Sequence, residues 1–358
     1  MPHLLVLGDS ILWGQGLEER YKPTRLLADA WASAASAAVT ISRFAHSGAM
    51  IWREDPPHGA NGCPPELMSA PPPFAATLPV GDDEVRATLG CGAPDDRDRD
   101  GEIPRSEPYI LRQILDARRE LTTDPDLVLV DCGINDTRLY NLVLPGKDTA
   151  AVVARARSLR PFMRFALRSV TDAFENARVI VTGYYPVVAG GSRHRKLYHF
   201  GVDVLRAAGQ VVADSIANAL HPDHIIAVSQ HDTIVRIPTY NPVKHYFDEL
   251  VERNASWVTA IHDTIHSVIG ELGLGGRIGL AIPRFGDDEV LFGRDTLLWG
   301  GTDDQVRDER DRIAATSTEL TPYDRLVTRV ASVGHPNVRG AKRYAEAVIR
   351  AAGDLEVF

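Results

Sequence analysis

The chain has 358 residues but only three cysteines, and no Cys-x-x-Cys pair. An odd count argues against a disulfide framework, and the missing pair argues against a zinc ribbon. Cys63 and Cys91 fall in an irregular stretch, and Cys132 ends an expected strand. Basic blocks are also missing, and the net charge is -9. Such a surface is poorly made for neutralising phosphates, so nucleic acid is not an expected partner. No apolar run approaches the roughly 20 residues of a membrane span, so none is expected. The opening run Met1-Pro2-His3-Leu4-Leu5-Val6-Leu7-Gly8 lacks both a basic n-region and a long apolar h-region. It reads as a strand rather than a secretory signal, and a cytoplasmic location is the default expectation. Internal repeats are absent.

What the chain does have is alternation. Short apolar, β-branched runs at Leu4–Leu7, Val39–Phe44, Leu127–Cys132, Arg178–Thr182 and Ile225–Val228 read as strands covered on both faces. Between and after them lie helical patterns: Thr24–Ala38, Glu107–Leu121, Thr149–Ala177, Val202–Leu220, Tyr246–Leu272 and Asn337–Ala352. Strand-helix alternation predicts an α/β fold in three layers, α/β/α, with a central parallel sheet of about five strands. One domain spanning 1–358 accommodates this order, with insertions at about 54–105 and 276–326 that break the alternation. The first is rich in Pro, Gly and Asp; both segments can form a lid or pocket rim, and a solvated surface loop fits the first equally well.

Chemistry-bearing residues gather where strands end. Gly8-Asp9-Ser10 follows the first strand, Ser47-Gly48 the second, and Gly133-Ile134-Asn135-Asp136 the third. Gly334-His335-Pro336-Asn337 precedes the last helix. Ligands of open parallel sheets bind outside the carboxyl ends of the strands. A serine there can attack a carbonyl with a histidine as its base. A glycine N–H and an asparagine amide can stabilise the resulting oxyanion. Taken alone, Gly-Asp-Ser is a weak signal, since Asp or Ser also caps helices.

The order Ser10, Gly48, Asn135, His335 resembles the SGNH hydrolases, or GDSL lipase/esterase family, over nearly the whole chain outside the insertions. The resemblance implies a flavodoxin-like SGNH-hydrolase fold and a serine esterase or lipase acting on small-molecule or lipid esters through an acyl-enzyme, without cofactor or metal. It assigns Ser10 as nucleophile, His335 as general base and acid, and the Ser10 N–H, Gly48 N–H and Asn135 side chain as the oxyanion hole. Thioesterase, carbohydrate deacetylase and acyltransferase activities fit the same site. A non-catalytic binding protein on the same scaffold is the reading from a different class.

The family usually has Asp three residues before the histidine, and here that position is Ser332. A Ser-His dyad is then implied, with the Ser332 backbone carbonyl accepting from His335 Nδ1–H and orienting the ring. The alternative is a carboxylate from elsewhere, such as Asp136 or an insertion residue. Asp9 is expected to support the loop through its backbone. Trp13, Tyr184, Tyr185 and Pro186 fall after strands, where pocket lining and core packing are both open. His262 and His266, four apart on an expected helix, have a spacing that can bind zinc, but no third ligand is evident. No Gly-x-Ser-x-Gly surrounds Ser10, which speaks against an α/β-hydrolase elbow.

Overall fold

A computed structural model describes residues 1–51, 109–131, 133–137, 140–143, 148–194, 196–197, 240–300 and 332–358, with the backbone alone at 140, 141 and 240–246. The sheet starts with β1 (His3–Leu7), which is followed by the one-turn helix α1 (Ser10–Trp13) and by α2 (Pro23–Ala35). Then come β2 (Thr40–Arg43), α3 (Ile110–Glu120) and β3 (Leu127–Val130). Helices α4 (Thr149–Ser158) and α5 (Arg160–Ala173) lead to β4 (Arg178–Thr182). The long α6 (Tyr240–Leu272), β5 (Ile278–Ala281) and α7 (Val338–Asp354) complete the domain.

The five strands are all parallel, in the order β2-β1-β3-β4-β5. This is the flavodoxin-like order, in which the chain reverses direction between β1 and β3. Helices α2 and α7 pack on one another, and α7 meets β4 and β5. Helix α3 packs on α5, and α6 packs on α4 and α5. With right-handed crossovers this puts α2 and α7 on one face and the others on the opposite face. The three-layer expectation matches this architecture.

The central strands form where the sequence is apolar without a break, whereas the edge strand β2 mixes polar and apolar residues and is only partly covered. Every residue of β1 and β3 is buried, as expected for central strands covered on both faces. The expected helix Thr149–Ala177 is two helices. The chain turns at Leu159, and Pro161, which has no N–H to give to an upstream carbonyl, lies in the first turn of α5.

The fifth strand differs from expectation. Strand β5 lies at Ile278–Ala281, at the start of the segment read as an insertion, and pairs with β4 from Val179↔Ile278 to Thr182↔Ala281. As an edge strand it is only partly covered, so its apolar signal is weaker than that of β1 or β3. The expected strand Ile225–Val228, the expected helix Val202–Leu220 and the 54–105 segment lie outside the described residues.

Candidate active site

The carboxyl edge of β1 carries the first half of the site. Gly8 leaves the strand at φ +135°, a value that favours glycine, and a Cβ there would overlap Asp131 Oδ1. Asp9 is the N-cap of α1, and its Oδ1 accepts from Ile11 N–H at 2.8 Å. Ser10 is the first residue of the helix and is nearly buried. Its main-chain N–H is one of the amides that a helix start leaves without an intrahelical acceptor.

Side chains wire this turn. Gln113, on α3, accepts from Gly8 N–H at 2.6 Å and donates to Gly8 C=O at 2.9 Å. Asp131, just past β3, accepts from Asp9 N–H at 2.6 Å through Oδ1. Tyr184 OH donates to Asp9 Oδ2 at 2.9 Å. Asp9 and Asp131 are fully buried. Burial raises the Asp9 pKa, against the bonds it accepts from Ile11 and Tyr184. Burial, followed by the charge of Asp9, pushes Asp131 well above the usual carboxylate range.

The second half comes from the other end of the chain. His335 Nε2 lies 2.6 Å from Ser10 Oγ, across 325 positions of sequence. The turn that presents the ring is built mostly by main chain. Ser332 C=O accepts from His335 N–H at 3.0 Å, and Gly334 adopts φ +82°. Trp299 N–H donates to His335 C=O at 2.8 Å, and Gly334 N–H donates to Trp299 C=O at 3.0 Å. Asn337 N–H donates to Leu297 C=O at 2.8 Å. Residues 297–299, within the segment read as the second insertion, thus brace the histidine like a short strand. The bond found at the Ser332 carbonyl is to the His335 main-chain N–H, whereas the sequence led us to expect the ring Nδ1–H.

Gly48 and Asn135 meet beside this pair of turns. Gly48 lies at φ +85°, and Ala49 N–H closes the turn onto His46 C=O at 3.1 Å. Asn135 sits on the short helix Ile134–Thr137, and its Nδ2 donates to Ala49 C=O at 2.8 Å. One amide hydrogen of Asn135 therefore locks the glycine turn, and the other is left for a different acceptor. Asp136 accepts from Ile51 N–H with both carboxylate oxygens at 3.0 Å. It ties down the chain after Gly48, in keeping with a structural rather than catalytic reading.

Tyr184 and Tyr185 are core and positioning residues, both buried. The Tyr185 hydroxyl donates to Gly334 C=O at 3.0 Å, while Tyr184 reaches Asp9. Two consecutive residues after β4 therefore hold the serine turn and the histidine turn. Trp13 is half-buried, with Lys22 Nζ 4.0 Å and the Arg43 guanidinium carbon 5.5 Å from its ring centroid. His262 Nε2 lies 3.1 Å from both the N–H and the carbonyl of Tyr184, and burial lowers its pKa. It closes the end of β4, and no cluster of three metal-ligating side chains occurs among the described residues.

Sequence reasoning missed Gln113 and Asp131. Gln113 did leave a signal, since it occupies the buried stripe of α3 with Ile110, Ile114 and Ala117. A polar residue in such a stripe has a specific partner. Asp131 sits immediately after four buried apolar residues, which is a comparable anomaly.

No protein-family model matches the chain, and no curated protein matches it. Among solved structures it is similar to an extracellular lipase from Streptomyces rimosus, at 15% identity over 98% of this chain and 100% of that one, with a TM-score of 0.43. It is similar to phospholipase A1 from Streptomyces albidoflavus NA297, at 13% identity over 98% and 99% of the two chains, with a TM-score of 0.43. It is also similar to a carbohydrate acetylesterase from Sinorhizobium meliloti, at 11% identity over 99% and 100%, with a TM-score of 0.40. At this degree of likeness the functional reading stands on the geometry of the site.

Proposed function

We propose that the chain is a serine esterase of the lipase type that cleaves carboxylic esters through an acyl-enzyme on Ser10. The observation that carries this reading is the 2.6 Å contact between Ser10 Oγ and His335 Nε2 at the carboxyl edge of a parallel sheet. His335 Nε2 takes the Ser10 proton as Oγ attacks the ester carbonyl. The tetrahedral oxyanion is held by the Ser10 N–H, the Gly48 N–H and the Asn135 amide. Protonated His335 then gives its proton to the leaving alcohol, and the acyl group stays on Ser10. A water deprotonated by His335 attacks that acyl group, and the acid departs. Ser332 positions His335 through its backbone, and Asp9 supports the nucleophile turn.

The test is a panel of p-nitrophenyl esters, acetyl to palmitoyl, on wild type and Ser10→Ala. The wild type is expected to hydrolyse part of the series, with kcat/KM falling by at least about 10⁴-fold in a folded Ser10→Ala protein. Full activity in the folded variant, or hydrolysis of no ester by the wild type, overturns the proposal.

A further inference from the structure

Two carboxyl groups, those of Asp9 and Asp131, are buried directly behind the candidate nucleophile. Asp131 Oδ1 stands where a Cβ of residue 8 would be, and it accepts from Asp9 N–H at 2.6 Å. The other oxygen of Asp131, Oδ2, is buried without a hydrogen-bond partner among the described residues, and the two carboxyl groups lie close enough for each to influence the titration of the other. Asp9 has its own donors, Ile11 N–H at 2.8 Å and Tyr184 OH at 2.9 Å. Among the described residues, none of the groups that shift either carboxyl is a cation. Burial and mutual repulsion both work against ionisation of two carboxyl groups at such a site.

We propose that Asp9 and Asp131 share one proton, carried by Asp131, and that this neutral acid is a positioning group for the Ser10 turn. The inference rests on the reading of Ser10 as nucleophile. With Asp131 protonated, its hydroxyl donates to the Asp9 carboxylate while its carbonyl oxygen accepts from Asp9 N–H. The two residues then close a ring around the turn. Asp9 N–H and Ile11 N–H are both engaged, so the amide between them, Ser10 N–H, is the one left to face a substrate oxygen. Loss of the shared proton leaves two adjacent buried carboxylates, and their repulsion opens the ring.

The burial-driven rise at Asp131 agrees with this assignment. The titratable groups that face the pair among the described residues are Tyr184 and Tyr185 after β4 and Tyr344 on α7. Burial first, then the charges of the pair, raises Tyr185 and Tyr344 well above the usual phenol value, so both stay neutral. His335 lies beyond Ser10 Oγ, and His46 donates its main-chain N–H to Gly8 C=O at 3.0 Å.

The pH dependence has a definite sign. A carboxyl whose pKa is raised on folding contributes fully below its unfolded value of about 4, and the contribution is lost as pH rises through the folded value. Wild-type stability should therefore fall on the alkaline side relative to Asp131→Asn, whose amide mimics the neutral acid and does not titrate.

The experiment combines infrared spectroscopy with thermal unfolding from pH 5 to 10, and neither readout requires ester turnover. A protein labelled with ¹³C-carboxyl Asp should show a protonated-carboxyl band at pH 7 that is absent from Asp131→Asn. Asp9→Asn removes the neighbouring charge and should lose the band at a lower pH than wild type. In activity, Asp131→Ala should lower kcat by about tenfold or more, and Asp131→Asn should restore most of it. A wild type without the band at pH 7, or parallel Tm profiles for wild type and Asp131→Asn, overturns the proposal. Should Asp131→Asn not fold, the wild-type band and its shift in Asp9→Asn decide the matter.

Discussion

The serine turn and the histidine turn meet within 2.6 Å, yet they are built by opposite means. Around Ser10, side chains from distant elements take the main-chain groups one by one: Gln113 for both polar groups of Gly8, Asp131 for Asp9 N–H, and Asp9 itself for Ile11 N–H. Around His335 the bonds are mostly main chain to main chain, with Ser332, Trp299 and Leu297 supplying carbonyls or amides. Side chains add to this frame among the described residues through the Tyr185 hydroxyl on Gly334 C=O and the Asn337 amide on Thr296 C=O. A turn held by side chains depends on their identity. A turn held by main chain depends on the path of the chain and tolerates side-chain replacement.

Gln113→Leu is the sharpest way to break this contrast. It puts an apolar side chain of similar size in place of the amide and strands the buried N–H of Gly8, whose C=O keeps the bond from His46 N–H. An unpaired buried N–H costs about 1–3 kcal/mol, so a loss of that size should appear in urea unfolding. The ester rate should fall as well, because Gly8 anchors the turn that carries Ser10. An unchanged midpoint and rate would mean that Gln113 is not what holds the turn.

Ser332→Ala probes the other side and carries the smallest expected effect. The mutation keeps the carbonyl that accepts from His335 N–H. In the folded variant kcat/KM should move by no more than about twofold. A tenfold drop in kcat would show that the hydroxyl takes part and would erase the contrast between the turns.

The same contrast explains what the sequence disclosed. Strands β1, β3 and β4 were legible because their residues are largely apolar on both faces, and Ser10, Gly48, Asn135 and His335 stand in motifs at or beside the carboxyl ends of the strands. Strand β5 was not, because it lies at the sheet edge between glycines and Pro283, with two of its four residues only partly buried. Gln113 and Asp131 were hidden for another reason. Their partners lie 105 and 122 positions away, and a buried polar residue shows its purpose only when that partner is known. The brace at residues 297–299 left no trace, since main-chain bonds do not depend on which side chains are present.

The central claim is that Ser10 is acylated with His335 as its base. The most direct measurement is mass mapping of the intact protein after reaction with a fluorophosphonate, which forms a stable phosphonyl adduct on an activated serine. A single adduct on the peptide containing Ser10, lost in Ser10→Ala and strongly slowed in His335→Ala, is the expected result. An adduct on a different residue, or none on a folded and ester-cleaving protein, would contradict it.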